Sequence, residues 1–558
     1  MTDLAVASPV RDLADRFWQW FLARQPVYAT VLGDERYDDR LRDPSAEARA
    51  EEVAGLHGFL ADAAALDRTE LGQEDTITLD MLEVVARIWL RQEEHDVHHF
   101  EAMDQMSGPQ NLPGDLSRFQ RVDTPERLDR LIRRLEQFPD YLTQHRVNLL
   151  EGVVAGRTAA APVVARVLEQ TRRAVAAPVD ESPLMKAHPE LDAAARERIR
   201  AALEEFVAPA LAAHVEALEG YQQHARKGDG LWALPDGEEL YKTMILASTT
   251  LEESAQSLHD YGLAQLESIR AEAEHIAHGL GFADLAALRA SLAAEESNFA
   301  RDGAEIVERA RRQIDKANAA APRWFGRLPV APCEVRAVEP YQEAEAPPAF
   351  YFPPAPDGSR GGIYYVNTYQ PENRPLYRLA STTFHEATPG HHFQIAIESE
   401  LTDMPDFRRF GARLTGAAYP EGWGLYSERL ADEMGLFEDD RERLGMLDAQ
   451  AWRAARLVVD TGLHAFRWTR QQSIDLLVSL GLSQLEAETE TDRYITWPGQ
   501  ALAYMTGMRE IAGLRRELEQ RDGDRFDIVN FHDELLGHGT LPLATLRRVL
   551  PGWVKARG

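Results

Sequence analysis

The sequence is short of cysteine, of basic charge and of long apolar runs, and each shortage excludes a class of protein. Cys333 is the only cysteine among 558 residues, so the chain has neither a disulfide framework nor a thiolate cluster. Lysine and arginine number 61 against 91 acidic residues, which gives a formal net charge of −30. A chain this acidic repels polyanions, so we expect neither nucleic acid nor a membrane surface as a partner.

The apolar runs are much shorter than the roughly 18–20 residues that cross a bilayer. Residues 1–21 contain no basic stretch followed by an apolar one, so they predict no secretory signal, and we expect a cytoplasmic protein. Hydrophobic residues make up 44% and charged residues 27% of the chain, which is typical of a globular protein. The composition leaves the oligomeric state open.

Amphipathic helices are predicted for nearly all of the first 320 residues. One segment places apolar residues on a single helical stripe at Leu128, Leu131, Ile132, Leu135 and Phe138. Between 322 and 375 prolines cluster and β-like runs replace the helical pattern. The predicted strands are 333–338, 349–352 and 363–367.

A chain of this length exceeds the size at which one hydrophobic core stops growing. We assign residues 1–320 to a helical lobe. Residues 321–558 form the small sheet and a helical catalytic lobe, and the two together form one peptidase-like unit. The predicted fold is mainly α, with two helical lobes flanking a cleft and a small β-sheet next to the helix of the candidate metal site.

That candidate site is the segment 385–392, His-Glu-Ala-Thr-Pro-Gly-His-His. A zinc site without cysteine needs two imidazoles that converge, commonly from one helix, and a third ligand from elsewhere. Glu386, directly after His385, is placed to activate a water molecule there. The usual second histidine lies four residues after the first, but Pro389 occupies that position and histidines follow at 391 and 392.

Pro389 changes the local geometry, because its ring clashes with the carbonyl of His385, four residues earlier. Gly390 adds conformational freedom. We therefore predict a two-residue bulge within one helix, which returns His391 to the place of the fourth residue after His385. His391 is the favoured second ligand, and His392 stays an alternative.

A third ligand is expected from a following helix. Glu421 and Glu428 share one face, seven residues apart. Glu421 follows a proline near the predicted helix start, where the helix dipole favours a carboxylate, so we take it as the ligand. Glu428 either supports a ligand from behind or is an ordinary exposed residue.

Around these residues the sequence resembles a large bacterial family of unknown function whose members carry an HExxxGHH motif. The resemblance is carried by 384–394 and 419–428 and extends along the chain. Further matching segments are 26–33, 458–464, 497–504 and 531–536. The resemblance implies a helical fold and a relationship to the thermolysin-like zinc peptidases.

A looser resemblance links the chain to oligopeptidases with an HExxH motif and a metal-binding glutamate on a later helix. Matching 390–391 to the end of that motif implies that His385, His391 and Glu421 are the zinc ligands, with two residues inserted in this chain. In those oligopeptidases a late tyrosine stabilises the oxyanion, and Tyr504 is the matching residue here. A packed ring with a bonded hydroxyl explains Tyr504 equally well.

Two further features have both a functional and a structural explanation. His464 follows Arg456 and Asp460 at four-residue spacing, so it either binds substrate or belongs to a ladder of surface charges. The segment 361–367 is either an exposed strand that pairs with an extended peptide or part of a simple hairpin.

These features predict a zinc-dependent metallopeptidase acting on short peptides, with Glu386 as general base and Tyr504 and His464 at the oxyanion. Three alternatives stay open. A zinc amidase for a small non-peptide amide would use the same site, and an inactive metal-binding protein would not need Glu386. A non-heme iron protein also uses two histidines and one carboxylate, but a glutamate directly after the first histidine favours zinc hydrolysis.

Overall fold

A computed structural model describes residues 8–339, 343, 346–355, 358 and 360–557. Helices dominate this part of the chain, and a small three-stranded sheet interrupts them. The predicted mainly α fold with a small sheet is therefore confirmed. Among the described residues, no helix is long and apolar enough to cross a membrane.

The α-helices are numbered in chain order. Those before the sheet are α1 (Pro9–Arg24), α2 (Pro26–Val31), α3 (Ala46–Ala64), α4 (Gln73–Glu94), α5 (Leu112–Phe119), α6 (Pro125–Glu136), α7 (Phe138–Ala155), α8 (Ala161–Ala176), α9 (Pro183–Lys186), α10 (Ala193–Ala202), α11 (Ala208–Gln222), α12 (Gly237–Thr249), α13 (Ala255–Gly279), α14 (Leu285–Ala294) and α15 (Gly303–Ala320). Those after the sheet are α16 (Leu379–Glu386), α17 (His391–Ser399), α18 (Asp406–Phe410), α19 (Ala418–Glu433), α20 (Asp440–His464), α21 (Arg470–Ser479), α22 (Gln484–Thr496), α23 (Ala503–Asp522), α24 (Ile528–Leu536) and α25 (Leu543–Trp553).

The chain forms two compact units. The first runs up to Met244 and also contains Gly462–Ile474 and Leu485–Pro498. The second is built from Ile245–Thr461, Asp475–Gln484 and the chain from Gly499 onward. These units differ in extent from the lobes 1–320 and 321–558 suggested by the sequence, and that division stays a prediction.

In the first unit, α6 shows how the helical stripe forms a core. The Thr124 hydroxyl caps the helix by accepting the backbone N–H of Arg127 at 3.3 Å, which satisfies one of the free donors of the first turn. The predicted stripe faces inward, with Leu128, Leu131, Leu135 and Phe138 buried. Ile132 is partly buried at the edge of the same cluster.

The sheet belongs to the second unit. Its strands are β1 (Cys333–Ala337), β2 (Ala349–Phe352) and β3 (Gly362–Val366), in the order β1-β3-β2. β3 runs parallel to β1 and antiparallel to β2. The predicted strand positions are confirmed to within one residue. Because β3 is the central strand, the hypothesis that 361–367 is an exposed strand for pairing with a peptide is wrong.

α15 and the sheet together hold α16, the helix that carries His385. A buried cluster joins Ile306 and Ile314 of α15 to Tyr364 of β3 and Leu379 of α16. The Tyr364 hydroxyl also lies 3.3 Å from the Thr383 hydroxyl on α16. The sheet therefore lies beside the helix of the candidate site, as predicted.

α19 and α23 approach each other closely at two glycines. A Cβ at Gly507 would lie 1.8 Å from the carbonyl oxygen of Ala418, and one at Gly422 would lie 2.4 Å from Gly507. Further along both helices, Arg515 donates to the Tyr426 hydroxyl at 3.1 Å, so the two helices run in the same direction. This contact fixes the part of α19 that carries Glu421.

We predict that Gly507→Ala lowers the free energy of unfolding by about 1–3 kcal/mol, because the added methyl group has no space between the helices. Gly513→Ala is the matched control on the same helix, where an added Cβ meets nothing within 4 Å. There the better helix propensity should raise stability by about 0.5–1 kcal/mol. Thermal midpoints of the two variants test this, and an equal rise in both would show that the close approach is not required.

Candidate metal centre

The segment with the histidines forms two helices rather than one. α16 ends at Glu386 and α17 begins at His391. The peptide bond between Thr388 and Pro389 in the connecting turn is cis. The predicted bulge within a continuous helix is therefore wrong. Pro389 has no N–H to continue the helical hydrogen bonds. The helix therefore ends before the residues for which a bulge was predicted, and a new helix begins after them.

The turn between the helices is held from behind by α19. The buried Trp423 indole donates to the carbonyls of Pro389 and Gly390, at 2.9 and 3.1 Å. A Cβ at position 390 would lie 1.9 Å from the His385 carbonyl oxygen, so only glycine lets the chain pass this close to the end of α16. As a result the rings of His385 and His391 pack edge to face, with centroids 4.7 Å apart and planes 84° apart.

Glu421 of α19 completes a group of three metal-ligand residues. Its Oε2 lies 3.5 Å from Nε2 of His385 and 3.4 Å from Nε2 of His391. Zinc bonds of roughly 2.0–2.2 Å place the corners of a tetrahedron about 3.3–3.6 Å apart. Charge-assisted N–H···O bonds are shorter, about 2.7–2.9 Å. These separations therefore fit three ligands of one zinc ion.

Glu428, two turns after Glu421, holds His385 from the other side. Its buried carboxylate lies 2.8 Å from Nδ1 of His385 and accepts the Ser381 hydroxyl at 3.0 Å. Between the two glutamates, a Cβ at Gly424 would lie 2.8 Å from the His385 ring. Glu428 is buried, so it is not an ordinary exposed residue, and its contact with the candidate ligand His385 agrees with the other explanation of its position.

The charges at the site favour a bound cation. Burial alone would lower the pKa of His385, but the carboxylates of Glu421 and Glu428 raise it to about 10. Burial would raise the pKa of Glu421, but His385 and His391 hold it well below its usual range. The surroundings therefore stabilise positive charge at the imidazoles, whether it is carried by a proton or by a metal ion.

His392 faces away from this group. Its Nδ1 lies 3.0 Å from the Tyr351 hydroxyl of β2, and burial lowers its pKa to about 4. The structure thus brings His391, and not His392, together with His385 and Glu421.

Glu386 is the partly exposed last residue of α16. Its charge acts on two neighbours. It adds to the rise in the pKa of His385, and it adds to the effect of burial in raising the pKa of the Tyr364 phenol. The carboxylate is therefore close enough to a candidate ligand and to β3 for its charge to act on both.

Tyr504 lies in the first turn of α23, one turn before Gly507, and only 8% of it is exposed. Gly507 faces Ala418 and Gly422, so Tyr504 lies near the start of α19, the end that carries Glu421. The guanidinium carbon of Arg456 lies 4.5 Å from its ring centroid. The role of Tyr504 at the oxyanion stays a prediction.

His464 belongs to the first compact unit. Its Nδ1 accepts the backbone N–H of Leu231 at 3.2 Å, and its Nε2 lies 3.0 Å from the carbonyl oxygen of Tyr494. Burial lowers its pKa to about 3. A ladder of surface charges is wrong, because both His464 and Asp460 are buried. A substrate-binding role for His464 stays a prediction, but these bonds occupy both ring nitrogens.

A second group of three possible ligands, which the sequence did not predict, lies in the first unit. His98, His99 and Glu151 offer atoms within 4.8 Å of one another. Burial, followed by the positive charge of Arg49, lowers the pKa of His98 to about 4. A nearby guanidinium opposes a second cation, so this group fits a metal less well than His385, His391 and Glu421. The adjacent histidines were its only signal in the sequence.

Residues 26–550 match the family described as "Bacterial protein of unknown function (DUF885)". The chain is similar to the structure of a putative lipoprotein from Colwellia psychrerythraea, with 26% identity, 98% of each chain covered and a TM-score of 0.91. It shares its fold with a putative lipoprotein of unknown function from Shewanella oneidensis, at 19% identity, 98% and 100% coverage and a TM-score of 0.77. No curated protein matches the chain. The predicted chain-long resemblance to a bacterial family of unknown function is confirmed.

We predict that the protein binds about one zinc ion per chain and that His391→Ala removes it, because one of three ligands is lost. His392→Ala is the matched control, since its imidazole faces β2, and it should keep most of the zinc. Metal analysis of the dialysed proteins by mass spectrometry gives the answer. Loss of zinc from His392→Ala alone would reverse the assignment.

Glu428→Gln should weaken zinc binding by about 10–100-fold, because supporting carboxylates orient a ligating histidine and raise its basicity. Ser381→Ala is the control, because it removes a hydrogen bond to Glu428 and leaves the charge, so its effect should be smaller. Competition with a zinc chelator measures both affinities. Equal affinity in wild type and Glu428→Gln would contradict a supporting role.

Proposed function

The chain belongs to the family of bacterial proteins of unknown function (DUF885), and from its own residues we propose that it is a zinc-dependent metallopeptidase acting on short peptides. The observation that carries this proposal is the convergence of His385, His391 and Glu421, whose ligand atoms lie within 4.8 Å of one another, with Glu421 Oε2 3.4–3.5 Å from both imidazoles. Glu386 directly follows His385 in the sequence, which is the order expected for a zinc hydrolase. The resemblance to thermolysin-like zinc peptidases points to the same chemistry.

His385, His391 and Glu421 would hold the zinc ion, with Glu428 fixing the orientation of His385. When bound, zinc supplies Lewis-acid activation of water and of a carbonyl group. The protein's own residues then handle the protons. Glu386 follows His385 directly, so the two side chains leave α16 in different directions, and Glu386 is better placed as a base than as a fourth ligand.

Hydrolysis adds a hydroxyl group to the acyl carbon and a proton to the leaving nitrogen. Glu386 accepts the proton that water loses on attack and delivers it to that nitrogen as the C–N bond breaks. Negative charge develops on the carbonyl oxygen, and we propose that the Tyr504 hydroxyl donates a hydrogen bond to it. We give His464 no part in this step, because its ring nitrogens are already bonded.

The alternatives differ in what they ask of Glu386. A zinc amidase acting on a small non-peptide amide would use the same residues, and substrate screening separates it from a peptidase. An inactive binding protein would need no general base, so it leaves the position of Glu386 directly after His385 unexplained.

The cytoplasmic location stays a prediction. Because two similar structures are of putative lipoproteins, cell fractionation should include the envelope.

The test of this proposal is Glu386→Gln, which is nearly isosteric and removes only the base. We expect zinc content and thermal midpoint to be unchanged and hydrolysis of a mixed peptide library to fall at least about a hundredfold, which is about 2.7 kcal/mol of transition-state stabilisation. Product formation is followed by mass spectrometry. Glu517→Gln, on an exposed position of α23, is the control and should retain wild-type activity. Wild-type rates in Glu386→Gln would sink the mechanism.

A further inference from the structure

We propose that Arg453 binds the C-terminal carboxylate of the substrate, so that the enzyme acts as a carboxypeptidase that releases one or two residues. This inference rests on the proposed function, because it assigns the substrate class of the same site. Arg453 lies near Tyr504 and has no carboxylate partner among the described residues.

The contacts between α19 and α20 show which residues of α19 lie opposite Arg453. Arg443 of α20 pairs with Asp432 of α19 at 3.0 Å. Seven residues later on α20, Gln450 donates to the carbonyl of Leu425, seven residues earlier on α19, at 3.3 Å. The helices are therefore antiparallel, and one further turn along α20 brings Arg453 level with Glu421 and Gly422.

The contact with Tyr504 of α23 places Arg453 near the same part of α19. Tyr504 lies one turn before Gly507, which faces Ala418 and Gly422 of α19. The guanidinium carbon of Arg453 lies 5.9 Å from the Tyr504 ring centroid, and that of Arg456 lies 4.5 Å from it. Two guanidinium groups and the proposed oxyanion tyrosine therefore lie together, level with a candidate metal ligand.

Among the described residues Arg453 has no acidic partner, in contrast to Arg429 of α19 and Arg443 of α20. Within the described ranges its side chain makes one hydrogen bond, of 3.4 Å to the Ala449 carbonyl of its own helix, and lies over the Trp452 ring. Its Nε is buried without a partner. Arg429 and Arg443, by contrast, pair with Glu272 and Asp432. In a chain with 91 acidic residues, a half-buried guanidinium without a carboxylate is suited to receive one from a ligand, in two parallel hydrogen bonds.

The distances favour the C-terminal carboxylate. Tyr504 is proposed to contact the carbonyl oxygen of the bond that is cut, and Arg453 lies about 6 Å from its ring. One extended residue spans about 3.3–3.6 Å. A carboxylate one or two residues beyond the cut therefore reaches the guanidinium. An acidic side chain at the same place would offer the same chemistry, and amidated peptides distinguish the two sources.

The experiment measures binding to the zinc-loaded Glu386→Gln variant, which is expected not to cleave its ligand. The probes are N-acetylated trialanine with a free C-terminal carboxylate, its C-terminal amide, and the amidated form ending in glutamate. We expect the free acid to bind at least tenfold more tightly than either amide by titration calorimetry. Adding Arg453→Gln should bring the three affinities together, and Arg453→Lys should keep part of the preference. Arg516→Gln, twelve residues after Tyr504 on α23 or about 18 Å along its axis, is the matched control and should keep all of it.

Equal affinity for acid and amide would overturn the inference and leave the proposed hydrolase intact. Tight binding of the glutamate amide would overturn the C-terminal assignment, and a preference that survives in Arg453→Gln would remove Arg453 from the site. If Arg453→Gln fails to fold, Arg453→Lys replaces it, and a preference that is undiminished in Arg453→Lys would remove Arg453 from the site. If wild type cleaves neither peptide but the acid preference depends on Arg453, the carboxylate site stands and the hydrolase fails.

Discussion

The packing of the second unit depends on the position of the Glu421 carboxylate, which lies close to the imidazoles of both His385 and His391. Glu421 is partly buried, and a charge removed from water is unfavourable unless opposite charge lies beside it. Two helices must therefore bring imidazoles to α19, and α19 must lie close to both. Gly424 leaves room for the ring of His385, and Trp423 holds the turn that precedes His391. The glycine contact between α19 and α23 then fixes the depth at which Glu421 enters.

Local signals in the sequence were enough to identify the candidate ligands, even though the predicted backbone was wrong. The His-Glu pair and the later histidine mark the site whether the helix bulges or breaks. The turn at Pro389 is held by Trp423, 34 residues away, whose indole N–H donates hydrogen bonds to the carbonyls of Pro389 and Gly390. Local sequence propensities cannot predict an interaction between residues this far apart in the chain. Likewise, the strand positions follow from composition, but the central place of β3 depends on pairing with residues that local patterns do not specify.

The spacing of residues in the sequence did not predict which side chains are buried. His464 and Asp460 have the i, i+4 spacing of an exposed charge pair, yet both lie inside the protein. The same limit applies to the two groups of possible metal ligands. His98, His99 and Glu151 resemble His385, His391 and Glu421 in residue type and in separation. What separates the groups is the sign of the nearby charge, Arg49 at the first and Glu428 at the second, and both neighbours come from distant parts of the sequence.

The acidic character of the centre also constrains how a substrate can lie in it. Glu386, Glu421 and Glu428 place three carboxylates around His385, and the chain as a whole carries a net charge of −30. A peptide whose own carboxylate approaches this centre is repelled unless a cation lies close, because unlike charges about 4 Å apart attract by roughly 4 kcal/mol near a protein surface and like charges repel equally. The proposed site places such a cation at Arg453, whose guanidinium carbon lies 5.9 Å from the Tyr504 ring centroid. In the proposed mechanism, the charge pattern that favours a metal ion would therefore also direct the C-terminus of a peptide toward Arg453, and the candidate ligands and this arginine would together orient the substrate.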